Sequence, residues 1–280
     1  MCPSTRKPMP QKESHRPPSF MLDTTPDADV RRASVRPATS SHDVLDAIVG
    51  QQYVVRRLIG RGGMASVYEA EQLPMGRPVA LKVMRGGEDQ AAGGISLKRF
   101  QQEALVVANL PHPNICQVYD FGQLPDGALY LVMERLEGES LAEHIRDQGR
   151  VSAAFAVELG IQVLSALGFA HKRSVVHRDI KPENIFLARS GGGSTVKLLD
   201  FGLSKLITPA VDEHGDEFTQ LTRAGITMGT PYYMAPEQAF GDRNLDARVD
   251  LWAVGETLYE RRAGRRPFTA PNRRALMKSI

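Results

Sequence analysis

The 280-residue chain is predicted to adopt an α+β fold of two lobes, a β-rich first lobe and a helical second. Three observations carry that expectation. From Tyr53 to about residue 137 the chain runs in short β-favouring segments broken by glycine and proline, the texture of an antiparallel meander. From about residue 138 onward, apolar runs of helical length dominate. The apolar share of 42% is ordinary for a globular core, and a strand-rich half followed by a helix-rich half implies two lobes with a cleft between them.

Residues 1–52 carry Pro, Ser, Thr and Arg with scattered single apolar residues and no strand or helix period. Such a segment buries too little to offset its ordering entropy and is expected to be a disordered tail. Strands follow in YVVRRLIG, ASVYEAEQ and PVALKVM, separated by GRGG and LPMGRP. Leu97 to Asn109 reads as a helix, with Phe100, Ala104, Val107 and Ala108 on one face. ICQVYDFG and ALYLVMER read as two further strands. Helices are then expected in SLAEHIRDQG, AAFAVELGIQVLSALGFAHK and RVDLWAVGETLYERRAG, and the glycines at 191–193 form a hairpin tip between NIFLA and TVKLLD. There is no internal repeat.

Charge and cysteine content narrow the function classes. A formal charge of +3 with acids and bases nearly balanced does not argue for nucleic acid or an anionic membrane surface. The two cysteines, Cys2 and Cys116, give neither a disulfide framework nor a zinc spacing, so a reducing, cytoplasmic location is expected. The basic N-terminus lacks an apolar stretch behind it, and no eighteen-residue run is uninterruptedly apolar. No membrane segment is expected.

Four stretches bear chemistry. In IGRGGMASV, the glycines Gly60, Gly62 and Gly63 sit in a turn between strands. That turn is either a plain hairpin or a place where backbone N–H groups approach phosphate oxygens closely. A Walker-type loop is excluded, because no glycine precedes Lys and Ser/Thr at the required spacing. Lys82 stands in VALK, either as an edge lysine or as a site cation that Glu103, on the following helix, meets as an ion pair. Asp179 and Asn184 share the loop HRDIKPEN, and Asp200 follows in LLDFG. Each aspartate alone suits a turn or a cap. Together, two carboxylates and an amide form a hard-oxygen set that suits Mg²⁺ rather than zinc.

GRGGMASV, VALK, Glu103, HRDIKPEN, DFG and APE occur in one order and spacing between about Tyr53 and Phe268. This set resembles the protein kinase family, and GRGGM with GTPYYMAPEQ is similar to its eukaryotic-like bacterial serine/threonine branch. The resemblance implies a kinase domain over residues 53–280 that uses ATP and Mg²⁺, with protein substrates and possible self-association for autophosphorylation. It makes Asp179 the acceptor of the substrate hydroxyl proton and places Lys181 on the γ-phosphate. Asn184 and Asp200 become the Mg²⁺ ligands, and Lys82, fixed by Glu103, grips the α and β phosphates. Ile59, Val67, Ala80 and Phe186 would sandwich adenine, and the backbone of Glu134 to Leu136 would offer hydrogen bonds. Met133 would be the gatekeeper of a small back pocket. Arg178 would pair with an activation-loop phosphate, on Thr222 first or Thr219 second, among the threonines at 208, 219, 222, 227 and 230. Thr230 would bond Asp179 and Lys181, and Asp250 would brace the catalytic loop.

The sequence also departs from the family pattern. Ala65 replaces the third glycine, and Glu256, Arg261 and Arg262 fall where the resemblance implies buried apolar residues. Only residues 269–280 follow GRRPF, so an incomplete helical lobe is expected, with no partner for Glu237. A catalytically impaired kinase or pseudokinase scaffold is therefore the alternative. A small-molecule kinase of this fold is opposed by APE and GTPYY.

Overall fold

The computed structural model describes residues 36–42, 44–63, 65–84, 97–201, 232–242 and 244–280. The proposed phosphorylation sites Thr219 and Thr222, and Thr230 with them, lie outside the described residues, as do residues 1–35.

The first lobe is a six-stranded antiparallel sheet. Its strands are β1 (Ile48–Val49), β2 (Tyr53–Arg61), β3 (Ala65–Gln72), β4 (Arg77–Met84), β5 (Val118–Gln123) and β6 (Leu129–Glu134), in the order β1-β2-β3-β4-β6-β5. Helix α1 (Leu97–Ala108) buries Phe100, Ala104 and Val107, the face expected from its spacing. Alternation along β4 divides its side chains between two cores. Val79, Leu81 and Val83 face one apolar cluster, whereas Met84 joins the cluster that also holds α1.

Residues 36–52 differ from the expected disordered tail. Ala38, Val44, Ala47 and Val49 are each at most 4% exposed and share a cluster with Val79, Leu81 and Val83. The physical reason is that the sheet supplies the apolar surface this segment lacks on its own. The ordered domain therefore begins before Tyr53.

The second lobe opens with a three-stranded sheet, β7 (Gly138–Ser140), β8 (Ile185–Ser190) and β9 (Gly193–Leu198), in that order. Gly138 has φ +145, and a Cβ there would lie 2.0 Å from the Leu187 carbonyl oxygen, so the β7–β8 approach requires glycine. Helix α2 (Leu141–Gln148) starts at a capping box between Ser140 and Glu143. Helix α3 (Ala153–His171) starts at Ser152, whose hydroxyl accepts from Phe155 N–H. Helices α4 (Pro236–Ala239), α5 (Arg248–Ala263) and α6 (Arg273–Ser279) complete the described residues.

Helix α3 is long and apolar enough to cross a membrane by length and composition. Its Leu159, Val163, Ala166, Leu167 and Ala170 lie in the same core as Ile180 and Phe201, which accounts for that apolarity. On α5, Glu256 is 7% exposed and Arg261 fully buried, as expected, but Arg262 is exposed and donates to the Val151 carbonyl at 3.2 Å.

Candidate active site

The β8–β9 hairpin brings the metal-type ligands together. Its register pairs Ile185 with Leu198, so Asn184 and Asp200 flank the same end. Leu199 N–H donates to the Asn184 carbonyl at 2.9 Å and closes that end. Asn184, 6% exposed, ends a 3₁₀ turn at Pro182–Asn184 whose first position holds proline, where a missing N–H costs nothing.

The loop before it is braced from below. Asp250, fully buried at the start of α5, accepts from His177 N–H at 2.8 Å and Arg178 N–H at 2.7 Å, and its Oδ2 lies 2.7 Å from His171 Nε2. This is the bracing role expected of Asp250. Arg178 has φ +67, a left-handed conformation that only such external bonding holds in a non-glycine residue. Gln238 Nε2 adds a bond to the Arg178 carbonyl at 3.0 Å.

Asp179 then presents its carboxylate in a fixed direction. Its Oδ2 accepts from Lys181 Nζ at 2.7 Å and from Asn184 Nδ2 at 2.9 Å. Asn184 Nδ2 also donates to the Asp179 carbonyl at 2.8 Å. The amide nitrogen is thereby committed to Asp179, which turns the carboxamide oxygen of Asn184 away from it.

Lys82 joins this group from the first lobe. Its Nζ lies 2.5 Å from Asp200 Oδ1. The ammonium sits on Asp200 rather than on the expected Glu103, which is half-buried on α1. Burial would raise the Asp200 carboxyl, but Lys82 above all, then His177 and Lys181, outweigh burial and hold it below the usual carboxylate range.

Strand register lines the rest of the cleft. Gly60 opposes Val67, Val67 opposes Lys82, and Ala80 opposes Met133, which puts these residues on one face of the sheet. Ile59 is 40% exposed beside the β2 bulge. Phe186, on β8, and Leu136 are half-buried. Gly62 N–H donates to the Ala65 carbonyl at 2.8 Å and closes the glycine turn. A Cβ at Gly63 would meet nothing within 4 Å, so packing within the protein does not demand a glycine there.

Only part of the expected hinge is open to a ligand. Glu134 N–H already donates to the Gln117 carbonyl at 2.8 Å, and its carboxylate pairs with Lys197 at 2.8 Å. The Leu136 carbonyl accepts from Arg135 Nη1 at 2.7 Å. Among the described hydrogen bonds, Leu136 N–H has no acceptor, which leaves it to a ligand.

Behind Met133 lies a cavity of about 20 Å³, room for roughly one water, between Ala104, Leu131, Asp200 and Phe201. Sequence reasoning gave no role to Cys116, which also lines it; burial pushes this thiol up to about 12, so it stays protonated and unreactive. His177 and His171 were also given no role. The His177 ring lies 4.5 Å from the Phe201 ring and its Nε2 is 2.8 Å from the Leu199 carbonyl. No spacing signals either contact.

The donor set fits a divalent cation of the Mg²⁺ type. Asn184 offers an amide oxygen and Asp200 an ionised carboxylate, both hard and few enough to leave positions for phosphate and water. Among the described residues there is no group of three or more His, Cys, Asp or Glu that could hold a metal ion, so the candidate site rests on one carboxylate and one amide.

Comparison with known proteins agrees with this geometry. The family model described as "Protein kinase domain" matches residues 53–280. Serine/threonine-protein kinase pkn3 of Myxococcus xanthus is 42% identical over 221 residues, 79% of this chain and 39% of that protein. The probable serine/threonine-protein kinase PknB of Bifidobacterium longum is 39% identical over 235 residues, covering 80% and 32%. Serine/threonine-protein kinase PrkC of Bacillus subtilis is 36% identical over 220 residues, covering 79% and 32%. The chain thus spans less than two-fifths of the length of these three relatives. With the family model covering most of the chain and the catalytic-loop, β4 and β9 residues assembled at one point, the chain belongs to the protein kinase family, beside bacterial serine/threonine kinases.

Proposed function

We propose that the chain transfers the γ-phosphoryl group of ATP to serine or threonine hydroxyls of proteins, with Mg²⁺ as cofactor. The observation that carries the reading is the meeting of Lys82, Asp179, Asn184 and Asp200 from three separated stretches of sequence. In phosphoryl transfer the protein's work is positioning and charge neutralisation. Lys181 and Asn184 hold Asp179 Oδ2, which leaves Oδ1 to accept the substrate hydroxyl proton. Lys181 then also stands beside the γ-phosphate. Lys82 exchanges its Asp200 contact for the α and β phosphates, and Glu103 orients it in that state. Asn184 Oδ1 and the Asp200 carboxylate would hold Mg²⁺, which supplies charge neutralisation across the phosphates when bound.

The flat faces of the nucleotide base fit between Ile59, Val67 and Ala80 on one side and Phe186 on the other, with Leu136 N–H as donor. Without Cβ atoms, Gly60, Gly62 and Gly63 let phosphate oxygens come close to the backbone of the turn, and Gly62 N–H would exchange its bond to the Ala65 carbonyl for one to phosphate. Arg178 has a buried Nε without a hydrogen-bond partner among the described residues, which supports pairing with a phosphate on Thr222, or second on Thr219. Thr230 would bond Asp179 and Lys181. Self-association in trans would deliver that phosphate, and the cytoplasm supplies ATP and keeps Cys116 reduced.

A second reading, a scaffold without catalysis, is favoured by one observation: Glu256 Oε2 and the guanidinium nitrogens of Arg261 on α5 are buried with no hydrogen-bond partner among the described residues. Incubation of the purified chain with labelled ATP and a general protein substrate, beside Asp179→Asn, separates the two. Labelling lost in the variant supports the kinase; no labelling in either, with ATP bound, supports the scaffold.

A further inference from the structure

The segment that precedes the family match shares a buried apolar cluster with the back face of the strand that carries Lys82. Ala38 N–H donates to the Ile48 carbonyl at 2.9 Å and Ile48 N–H to the Arg36 carbonyl at 2.8 Å, which folds residues 36–50 on themselves. Two bonds then fasten the segment to β2, Val55 N–H to the Ala47 carbonyl at 2.9 Å and Asp46 N–H to the Val55 carbonyl at 3.2 Å. A third fastening lies beyond β5, where Ser41 N–H donates to Asp126 Oδ2 at 2.6 Å.

Val44 and Ala47, 1% and 0% exposed, share a cluster with Val79, Leu81 and Val83 of β4. These three alternate with Ala80 and Lys82 along the strand, so one face of β4 lies in the cluster that the segment helps to close while the other faces the cleft. We propose that residues 36–50 are a positioning strap for the nucleotide site. By closing the cluster that holds Val79, Leu81 and Val83, the strap helps to fix the height and tilt of β4, and with it the placement of Lys82 and Ala80. The inference rests on the kinase reading for what Lys82 grips, and it adds a segment that lies outside the matched domain. Released from the strap, β4 would expose three apolar side chains and lose the backing that keeps Lys82 aimed. Ground-state grip on the nucleotide suffers most, because Asp179 and its loop belong to the other lobe.

The test uses the full chain with Val44→Asp, which places a carboxylate in the strap cluster, and Val44→Ile as the conservative control. Expected for Val44→Asp are at least a tenfold rise in ATP KM and Kd, less than a threefold change in kcat at saturating ATP, and faster hydrogen exchange at 79–84. Val44→Ile should restore wild-type values. Asp126→Ala, a surface change at the Ser41 anchor, should raise ATP Kd twofold to fivefold and decides the matter if Val44→Asp fails to fold. ATP Kd and exchange at 79–84 unchanged in the folded variants overturn the strap. A wild-type chain that binds no ATP overturns instead the kinase reading, and the exchange measurement still judges the strap without it.

Discussion

Lys82 Nζ and Asp200 Oδ1 meet at 2.5 Å across 118 residues of sequence, joining β4 of the first lobe to the end of β9 in the second. Under the proposed mechanism, the contact pre-assembles the cation that would grip phosphate and the carboxylate that would hold the metal. Lys82→Met leaves the Asp200 carboxyl without its strongest counter-charge. Its titration then moves upward, since burial raises it and only Lys82 and weaker neighbours oppose that. In the native chain, Asp200 contributes stability above the ordinary carboxylate range that is lost only as pH falls through its depressed value. Expected for Lys82→Met are a loss of kcat/KM of about a hundredfold or more, for about 3 kcal/mol of lost transition-state binding, and an acid limb of stability shifted to higher pH. Kinetics and melts across pH check both.

Asp250 takes three donors from His171, His177 and Arg178 in a fully buried position. Asp250→Ala strands those donors at about 1–3 kcal/mol each. At about 2–4 °C per kcal/mol, thermal melting should show Tm lowered by several degrees at least. In the folded fraction, kcat should fall more than ATP Kd rises, because the brace serves the loop that holds Asp179.

Glu256 gives stability a pH dependence of its own. Burial, then repulsion from Glu260, pushes its carboxyl from 4.5 up to about 7. The native state therefore holds this proton where the unfolded chain has released it. Its favourable contribution is full below 4.5 and lost as pH rises through about 7. Melts at either end of that range should show wild type losing stability toward high pH relative to Glu256→Gln, which removes the titration. Parallel curves for the two proteins would refute the assignment.

Arg261 is fully buried, and its three guanidinium nitrogens have no hydrogen-bond partner among the described residues. An uncompensated buried charge costs about 3–5 kcal/mol. Arg261→Leu or Arg261→Met should therefore raise Tm by several degrees without altering ATP Kd. A lower Tm in both would mean that the guanidinium is satisfied in solution.

The fold was legible where its determinants are local. Alternation marked the strands, and the spacing of Phe100, Ala104 and Val107 marked the buried face of α1. The candidate site was legible because HRDIKPEN supplies most of it within one loop. Three features were not. Residues 36–52 look like a tail because their apolar residues are single and scattered; their partner surface, Val79, Leu81 and Val83, exists only once the sheet has formed. The partner of Lys82, a carboxylate 118 residues away, is set by how β4 and the residues after β9 come together, which no spacing encodes. Arg262 shares its stretch with Arg261, yet one points outward and the other inward, a difference set by the packing of α5 against its neighbours.

The central claim is that Asn184 and Asp200 jointly hold a divalent cation beside Asp179. The most direct measurement is a Mn²⁺ titration followed by electron paramagnetic resonance, with ADP present, on wild type, Asn184→Ala and Asp200→Ala. The account predicts nucleotide-dependent Mn²⁺ binding in wild type, weakened at least tenfold in each variant while the proteins stay folded. Equal Mn²⁺ affinity in all three proteins would contradict it.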